Sequence, residues 1–210
     1  SPFWFQVADA VWRQENDFGK VGVGDSREQW ITYRDRLVHQ NFVTNSPLCP
    51  INSLMTHGLI VTKYGPPNEM PRTNTEATYK GIVKEMRMAF ASGSSLVELY
   101  LDNDLITSIG NGKLWGDLAE SIAWHKRNKN VLADTHWIGG NPWNGSQAKI
   151  YGWAAWNGES SVITLRNPSA SNQTFTTTLR QILEIPNYVN GKIKLTNAFA
   201  TLQTTYPNIT

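Results

Sequence analysis

Residues 3–17 read FWFQVADAVWRQEND, and the change of character at Trp12 decides how the chain is taken. As far as Trp12 the run is apolar and aromatic with few breaks, the pattern of a strand buried on both faces. Arg13 to Asp17 are polar and would leave at the C-terminal end of that strand. The run opens at once with no initiator Met, as a chain cut from a longer one would, so an upstream region is expected.

Working outward, Gly19, Gly22 and Gly24 make a loop, and Ser26 with Gln29 three residues on reads as a capping box. In the helix that follows, Trp30, Tyr33, Leu37 and Val38 keep helical spacing, with Arg and Asp on the other face. Pro47 and Pro50 end that unit. Residues 51–61 (INSLMTHGLIV) are a second apolar segment, a strand if His57-Gly58 does not break it. Residues 63–73 hold three prolines and read as a surface loop. Asn74 or Thr75 would then cap an amphipathic helix with Tyr79, Ile82, Val83, Met86 and Phe90 on one stripe, closed by Gly93. Residues 96–101 (LVELYL) are a third strand leading into Asp102-Asn103-Asp104, and residues 114–126 a third helix with Leu114, Leu118, Ile122 and Trp115 inward.

Strand, helix, strand, helix, strand, helix argues for parallel β/α units. Three units cannot close a barrel of eight, so they form a small open sheet or the last units of something longer. After Gly139-Gly140 the composition shifts. Residues 150–156, the turn Asn157-Gly158 and residues 161–166 make a hairpin. Residues 174–179 and 192–195 add two strand candidates, so the tail is expected to be an antiparallel β-sandwich or half of one. The expected class is therefore α/β: residues 1–140 as the last units of a (β/α)8 TIM barrel, and residues 141–210 as an antiparallel β-sandwich domain.

Composition narrows the function classes. With 17% charged and 40% hydrophobic residues the chain is of globular type. Its net charge of +2 comes from scattered basic residues without the stripe of a nucleic-acid binder. No apolar run approaches a membrane span. Nine tryptophans and seven tyrosines exceed the needs of a small core. Carbohydrate sites favour such rings, because an apolar sugar face stacks on them while the hydroxyls find polar neighbours; rings are also ordinary core filler.

Barrel enzymes gather their chemistry at the C-terminal ends of the strands, where the first strand delivers Arg13 and Asp17. The Arg fork can hold vicinal hydroxyls or orient a carboxylate. A carboxylic acid desolvated among aromatics can keep its proton near neutral pH, as a general acid must. A surface Arg–Asp pair of little consequence has the same spacing.

Trp12-Arg13 followed by Asp17 resembles the WRxxxD signature of the retaining α-galactosidases, the clan of glycoside hydrolase families 27 and 36. Residues 131–168, with Ala133-Asp134-Thr135-His136-Trp137 and Thr164-Leu165-Arg166-Asn167-Pro168, resemble melibiase-like proteins of gut bacteria. The resemblance implies that the motif ends the sixth barrel strand, with Arg13 a sugar contact and Asp17 the general acid/base. It implies barrel units six to eight, then a C-terminal antiparallel domain. The family nucleophile, an Asp ending the fourth strand, would lie before Ser1. The family's fifth-strand residues that select the sugar would lie there too, and its Trp-Asn/Asp-Asp segment is not evident in residues 50–58, where Asn52 and His57 stand instead.

Trp12, Arg13, His57 and Asp102 are thus the candidate substrate contacts and Asp17 the candidate catalytic residue. His57 and Asp102 have equally ordinary readings as a structural histidine and a cap, and Asp104 shares the latter. His136 and Trp137 suit packing at the domain junction. The four histidines show no metal-ligand spacing, Cys49 has no partner signature, and no dinucleotide fingerprint or nucleophile elbow occurs. The expected protein is a glycoside hydrolase that cleaves terminal α-linked sugars by double displacement without a cofactor, inactive as this chain alone. Its expected partners are a carbohydrate and the N-terminal remainder of the barrel. Secretion or a bacterial periplasm is the expected location; Asn144, Asn172 and Asn208 begin glycosylation triplets, which are too common by chance to fix a compartment. The alternative is a catalytically inactive carbohydrate-binding or structural module of the same fold.

Overall fold

The computed structural model describes residues 6–12, 19–45, 49–62, 76–191 and 196–199, without the side chains of residues 12, 57 and 76–78. Three strands, β1 (Val11–Trp12), β2 (Leu54–Val61) and β3 (Leu96–Leu101), form a parallel sheet in the order β1-β2-β3. Helix α1 (Ser26–Val38) connects the first pair and α2 (Glu76–Ala91) the second. Helix α3 (Asn103–Ser108) and the 20-residue α4 (Lys113–Leu132) follow. Then β4 (His136–Gly139), β5 (Tyr151–Trp156) and β6 (Ser161–Arg166) make an antiparallel sheet, and the short α5 (Leu179–Ile182) packs beside it. Among the described residues the two sheets have three strands each; there is neither a closed barrel nor a second sheet facing the antiparallel one.

The helices lie between the sheets, and α2 has an apolar side for each. Ile82, Val83, Met86 and Phe90, the stripe expected from the sequence, pack with Leu59 and Val61 of β2 and with Ile106, Leu114 and Leu118. Met88 meets Tyr151 and Trp153 of β5 from the opposite side. A helix enclosed on two sides suits the apolar residues Met86, Met88, Ala89, Phe90 and Ala91 that its last turns carry on more than one side. Gly93 ends it in the left-handed region (φ +80), where an added Cβ would come within 2.2 Å of the Thr135 hydroxyl. In α4, Leu114 and Leu118 turn inward, whereas Trp115 is 41% exposed and donates to the Thr107 hydroxyl.

Several expectations are corrected. Residues 6–10 belong to no strand and Val7 is 78% exposed, so β1 is short among the described residues. Burial on both faces requires neighbours that these residues lack among the described residues. The cap of α1 is Asp25, not Ser26: its carboxylate accepts from the Arg27 and Glu28 N–H groups, while Gln29 reaches back to the Gly24 carbonyl. The Arg and Asp of α1 are not on a solvated face, since Arg27, Arg34 and Asp35 are buried with Trp30 and Ile31. His57-Gly58 does not break β2 but produces a register shift between His57 and Ile60, with Gly58 tight against the Glu98 carbonyl. Among the described residues, 174–178 pair with no strand and lead into α5. The antiparallel sheet begins at His136, before the composition change at Gly139-Gly140. Asn157-Gly158 turns the hairpin within a four-residue loop, in which Asn157 Oδ1 accepts from the Glu159 and Ser160 N–H groups. Residues 192–195, the other strand candidate of the tail, and the caps Asn74 and Thr75 lie outside the described residues.

Candidate functional site

Arg13 and Asp17, the pair on which the sequence argument rests, lie outside the described residues. The strand that leads to them is described, and its register locates the other candidates. Trp12 pairs with Met55, and Met55 with Leu96. His57 pairs with Glu98, Ile60 with Tyr100, and Val61 with Leu101. Trp12 is therefore level with the start of β3, while Asp102 follows its end, roughly 20 Å away at strand rise. The backbone of His57 lies between them. The described part of the sheet does not bring Trp12 and Asp102 together.

Asp102 is the N-cap of α3. Its Oδ1 accepts from the Asp104 and Leu105 N–H groups at 3.0 and 3.2 Å, and its own N–H donates to the Val61 carbonyl at 2.7 Å. The carboxylate has the capping role that its sequence position also allowed, while the backbone N–H ties the exit of β3 to the end of β2. Asp104 stands in the first turn of the same helix.

The faces of the parallel sheet differ in chemistry. Val97, Leu99 and Leu101 point to the helices and join the core. Leu96, Glu98 and Tyr100 alternate with them on the other face, where Leu96 is 49% and Tyr100 44% exposed. The Tyr100 hydroxyl donates to Glu98 Oε1 at 2.6 Å. Parallel sheets in α/β proteins are apolar on both faces, so a carboxylate and phenol in the middle of β3 depart from the rule. The sequence reading took LVELYL as a strand and passed over this pair. The signal was there: a single charged residue inside an otherwise apolar strand.

The densest set of ionisable groups joins α1 and α2 to the antiparallel sheet. Glu85, fully buried, accepts from Arg27, from Arg34 at 3.3 Å and from the Trp30 indole at 3.2 Å. Asp35 accepts from Arg34 and from the Tyr151 hydroxyl. Arg166 donates to the Tyr151 hydroxyl at 2.8 Å, to Thr32 at 3.0 Å and to Glu28 at 2.7 Å, and Glu28 also accepts from Lys84. Burial pushes the Tyr151 phenol well above its ordinary range, and the Asp35 carboxylate adds to this against the pull of Arg166. Burial would raise Glu28 too, but Arg166 and Lys84 outweigh it and hold the carboxyl below its ordinary value. Positive and negative groups alternate through the set, so each buried charge has a partner. The sequence reading missed it because its members come from four distant segments.

Beside this web lies a cleft of about 430 Å³, open solvent at its mouth included, lined among others by Arg34, Asp35, Thr56, Ser94, Met88 and Trp153. It touches the N-terminal half of β2, the end of the sheet opposite to the one where barrel chemistry gathers. Thr56 and Ser94 bond each other there, and Ser92 donates to Ser94.

Two of the remaining histidines bond backbone carbonyls. His136 Nε2 meets the Ile182 carbonyl and His125 Nδ1 the Phe90 carbonyl, both at 2.8 Å. Trp137 stacks on Tyr151 within the antiparallel sheet with centroids 5.0 Å apart, and its ring lies 5.4 Å from that of His39. Cys49 is buried. Among the described residues no three His, Cys, Asp or Glu side chains form a group that could hold a metal ion, and no helix is long and apolar enough to cross a membrane. No family model, curated protein or solved structure matches the chain.

Proposed function

We propose that this chain is the C-terminal part of a retaining, α-galactosidase-like glycoside hydrolase acting on terminal α-linked sugars. The observation that carries the reading is the setting of the Trp12-Arg13…Asp17 motif. Val11 and Trp12 form a strand parallel to β2, with α1 in the connection, and the motif continues from its C-terminal end. Two further parallel strands and an antiparallel sheet follow in the order the resemblance implies.

In this mechanism Arg13 holds sugar hydroxyls and Asp17 protonates the departing glycosidic oxygen. A carboxylate from sequence preceding Ser1 attacks the anomeric carbon, and Asp17 then takes a proton from the water that releases the sugar. Retention requires the two carboxyls to lie about 5–5.5 Å apart. The β/α units here would complete a barrel with upstream units, so the chain would associate with them, covering β3 and the face that carries Leu96 and Tyr100. A monodisperse monomer of the isolated chain in sedimentation would overturn that association.

The test is turnover by the full-length protein on nitrophenyl α-glycosides of galactose, glucose, N-acetylgalactosamine and fucose. Asp17→Asn is expected to lower kcat on natural glycosides by about 10²–10⁴-fold. Unchanged turnover in that variant removes Asp17 from the mechanism. Sugar binding with no turnover in the wild type selects the inactive binding module instead.

A further inference from the structure

We propose that residues 185–190 form a sugar-binding surface beside the antiparallel sheet, with the Tyr188 ring as its platform and the Asn187 carboxamide next to it. The surface uses no residue of the mechanism above and stands under the hydrolase and the binding-module readings alike. Helix α5 ends in a tight reversal. The Glu184 N–H donates to the Gln181 carbonyl and the Ile185 N–H to the Arg180 carbonyl, with Glu184 held in the left-handed region at φ +53. That region favours glycine, and a larger residue stays there only where its surroundings hold it. Ile182, Leu183 and Ile185 seat the segment on the apolar side chains of the sheet. The chain then closes a turn through the Val189 N–H and the Pro186 carbonyl at 3.0 Å, which puts Asn187 and Tyr188 at its two corners. Arg180 clasps both arms of this turn. Its guanidinium donates to the carbonyls of Ile185 at 3.3 Å, Pro186 at 2.6 Å and Val189 at 2.9 Å.

A single exposed ring on a loose loop is ordinary surface. Here the backbone under the ring is fastened from within, while the ring itself is 84% exposed and packs on almost nothing. The clasp therefore fixes a side chain that gives the core very little, and a loop ordered in advance loses less freedom on binding. A phenol ring offers a flat apolar face to the C–H side of a pyranose, and its hydroxyl both donates and accepts. The exposed carboxamides of Asn187 and Asn190 also carry donors and an acceptor, which is what sugar hydroxyls require. Other ligand classes fit less well. A protein interface asks for a contiguous apolar patch, and the exposed side chains next to this ring in the chain are polar. An anion asks for a cation, but the Arg180 guanidinium already faces three carbonyls, and Glu184 of the same segment exposes a carboxylate.

The experiment is native electrophoresis of the full-length protein in gels containing galactomannan or soluble starch, with Asp17→Asn in the background so that the polymer stays whole. The parent is expected to be retarded. Tyr188→Ala is expected to weaken that binding about tenfold, the equivalent of one lost stacking contact. Tyr188→Phe keeps the ring and keeps the retardation. Both variants should unfold at the parent's urea midpoint, because the side chain packs on so little. Undiminished retardation of Tyr188→Ala overturns the surface, as does loss of retardation in both variants, or free migration of the parent in both gels. Turnover of the four nitrophenyl α-glycosides, measured with Asp17 intact, separates the surface from the catalytic reading. Tyr188→Ala is expected to leave it unchanged, and a fall in turnover there would put the ring in catalysis and overturn a separate surface. If the wild type turns over none of the four but retardation depends on Tyr188, the hydrolase reading falls and the surface stands.

Discussion

Glu85 is shared by two guanidiniums and an indole with no exposure to solvent, so its removal strands two buried cations. Deleting one member of a buried ion set leaves the others charged and unpaired. Glu85→Ala is expected to destabilise the fold by about 3–5 kcal/mol, read from the urea midpoint. Tyr151→Phe removes the hydroxyl that donates to Asp35 and accepts from Arg166, at an expected cost of about 1–3 kcal/mol. Trp30 and Tyr33 were legible as an apolar stripe on α1. The burial of Arg27, Arg34 and Asp35 was not, because helical spacing marks their shared side of the helix without revealing that Glu85 of α2 and the Tyr151 hydroxyl of β5 wait there as partners.

At the level of elements, local chemistry accounts for most of what forms. The stripe on α2, the strand LVELYL and the hairpin around Asn157-Gly158 are encoded by period, branching and turn residues, and each occupies nearly the span expected. Glycines mark where elements touch. Gly93→Ala imposes a strained left-handed conformation and a clash with Thr135, for an expected loss of about 1 kcal/mol or more in thermal unfolding. In β5, an added Cβ at Gly152 would fall 1.7 Å from the Thr164 carbonyl oxygen of β6. Gly152→Val therefore forces the hairpin apart, and loss of slow hydrogen exchange in β5 and β6 would report it. β4 escaped the sequence reading because four residues, His136–Gly139, show too little alternation to declare a strand; the pairing with β5 makes it one. Residues 174–178 failed the other way. They have strand composition, but among the described residues no strand pairs with them.

For the molecule as a whole, the ion web makes the antiparallel sheet part of the same folding unit as the helices. Arg166 ties β6 to α1 through Glu28 and Thr32, and through Tyr151 and Asp35 to the remainder. Arg166→Ala is expected to split one unfolding transition into two, with the tryptophans of β5 reporting the earlier. The web also sets a pH window. Glu28 has a lowered folded value, so the unfolded chain binds its proton first and stability falls as pH drops below the ordinary 4.5. Tyr151 has a raised value, so the unfolded phenol ionises first and stability falls again as pH climbs above the ordinary 10.0. Unfolding midpoints across pH should show both limbs, with Glu28→Gln flattening the acid limb and Tyr151→Phe the alkaline one.

Sequence alone settled the alternation of strands and helices, the amphipathic face of α2 and the hairpin, because these depend on side-chain period and turn chemistry within a dozen residues. It also supplied the WRxxxD resemblance on which the proposed chemistry stands. Only the tertiary structure decided that Asp102 caps a helix far from Trp12, that Glu98 and Tyr100 share the helix-free face, and that the charges of α1 are buried. Those facts depend on which segments pack together, and a hydrogen bond between residues 28 and 166 leaves no local trace in the chain.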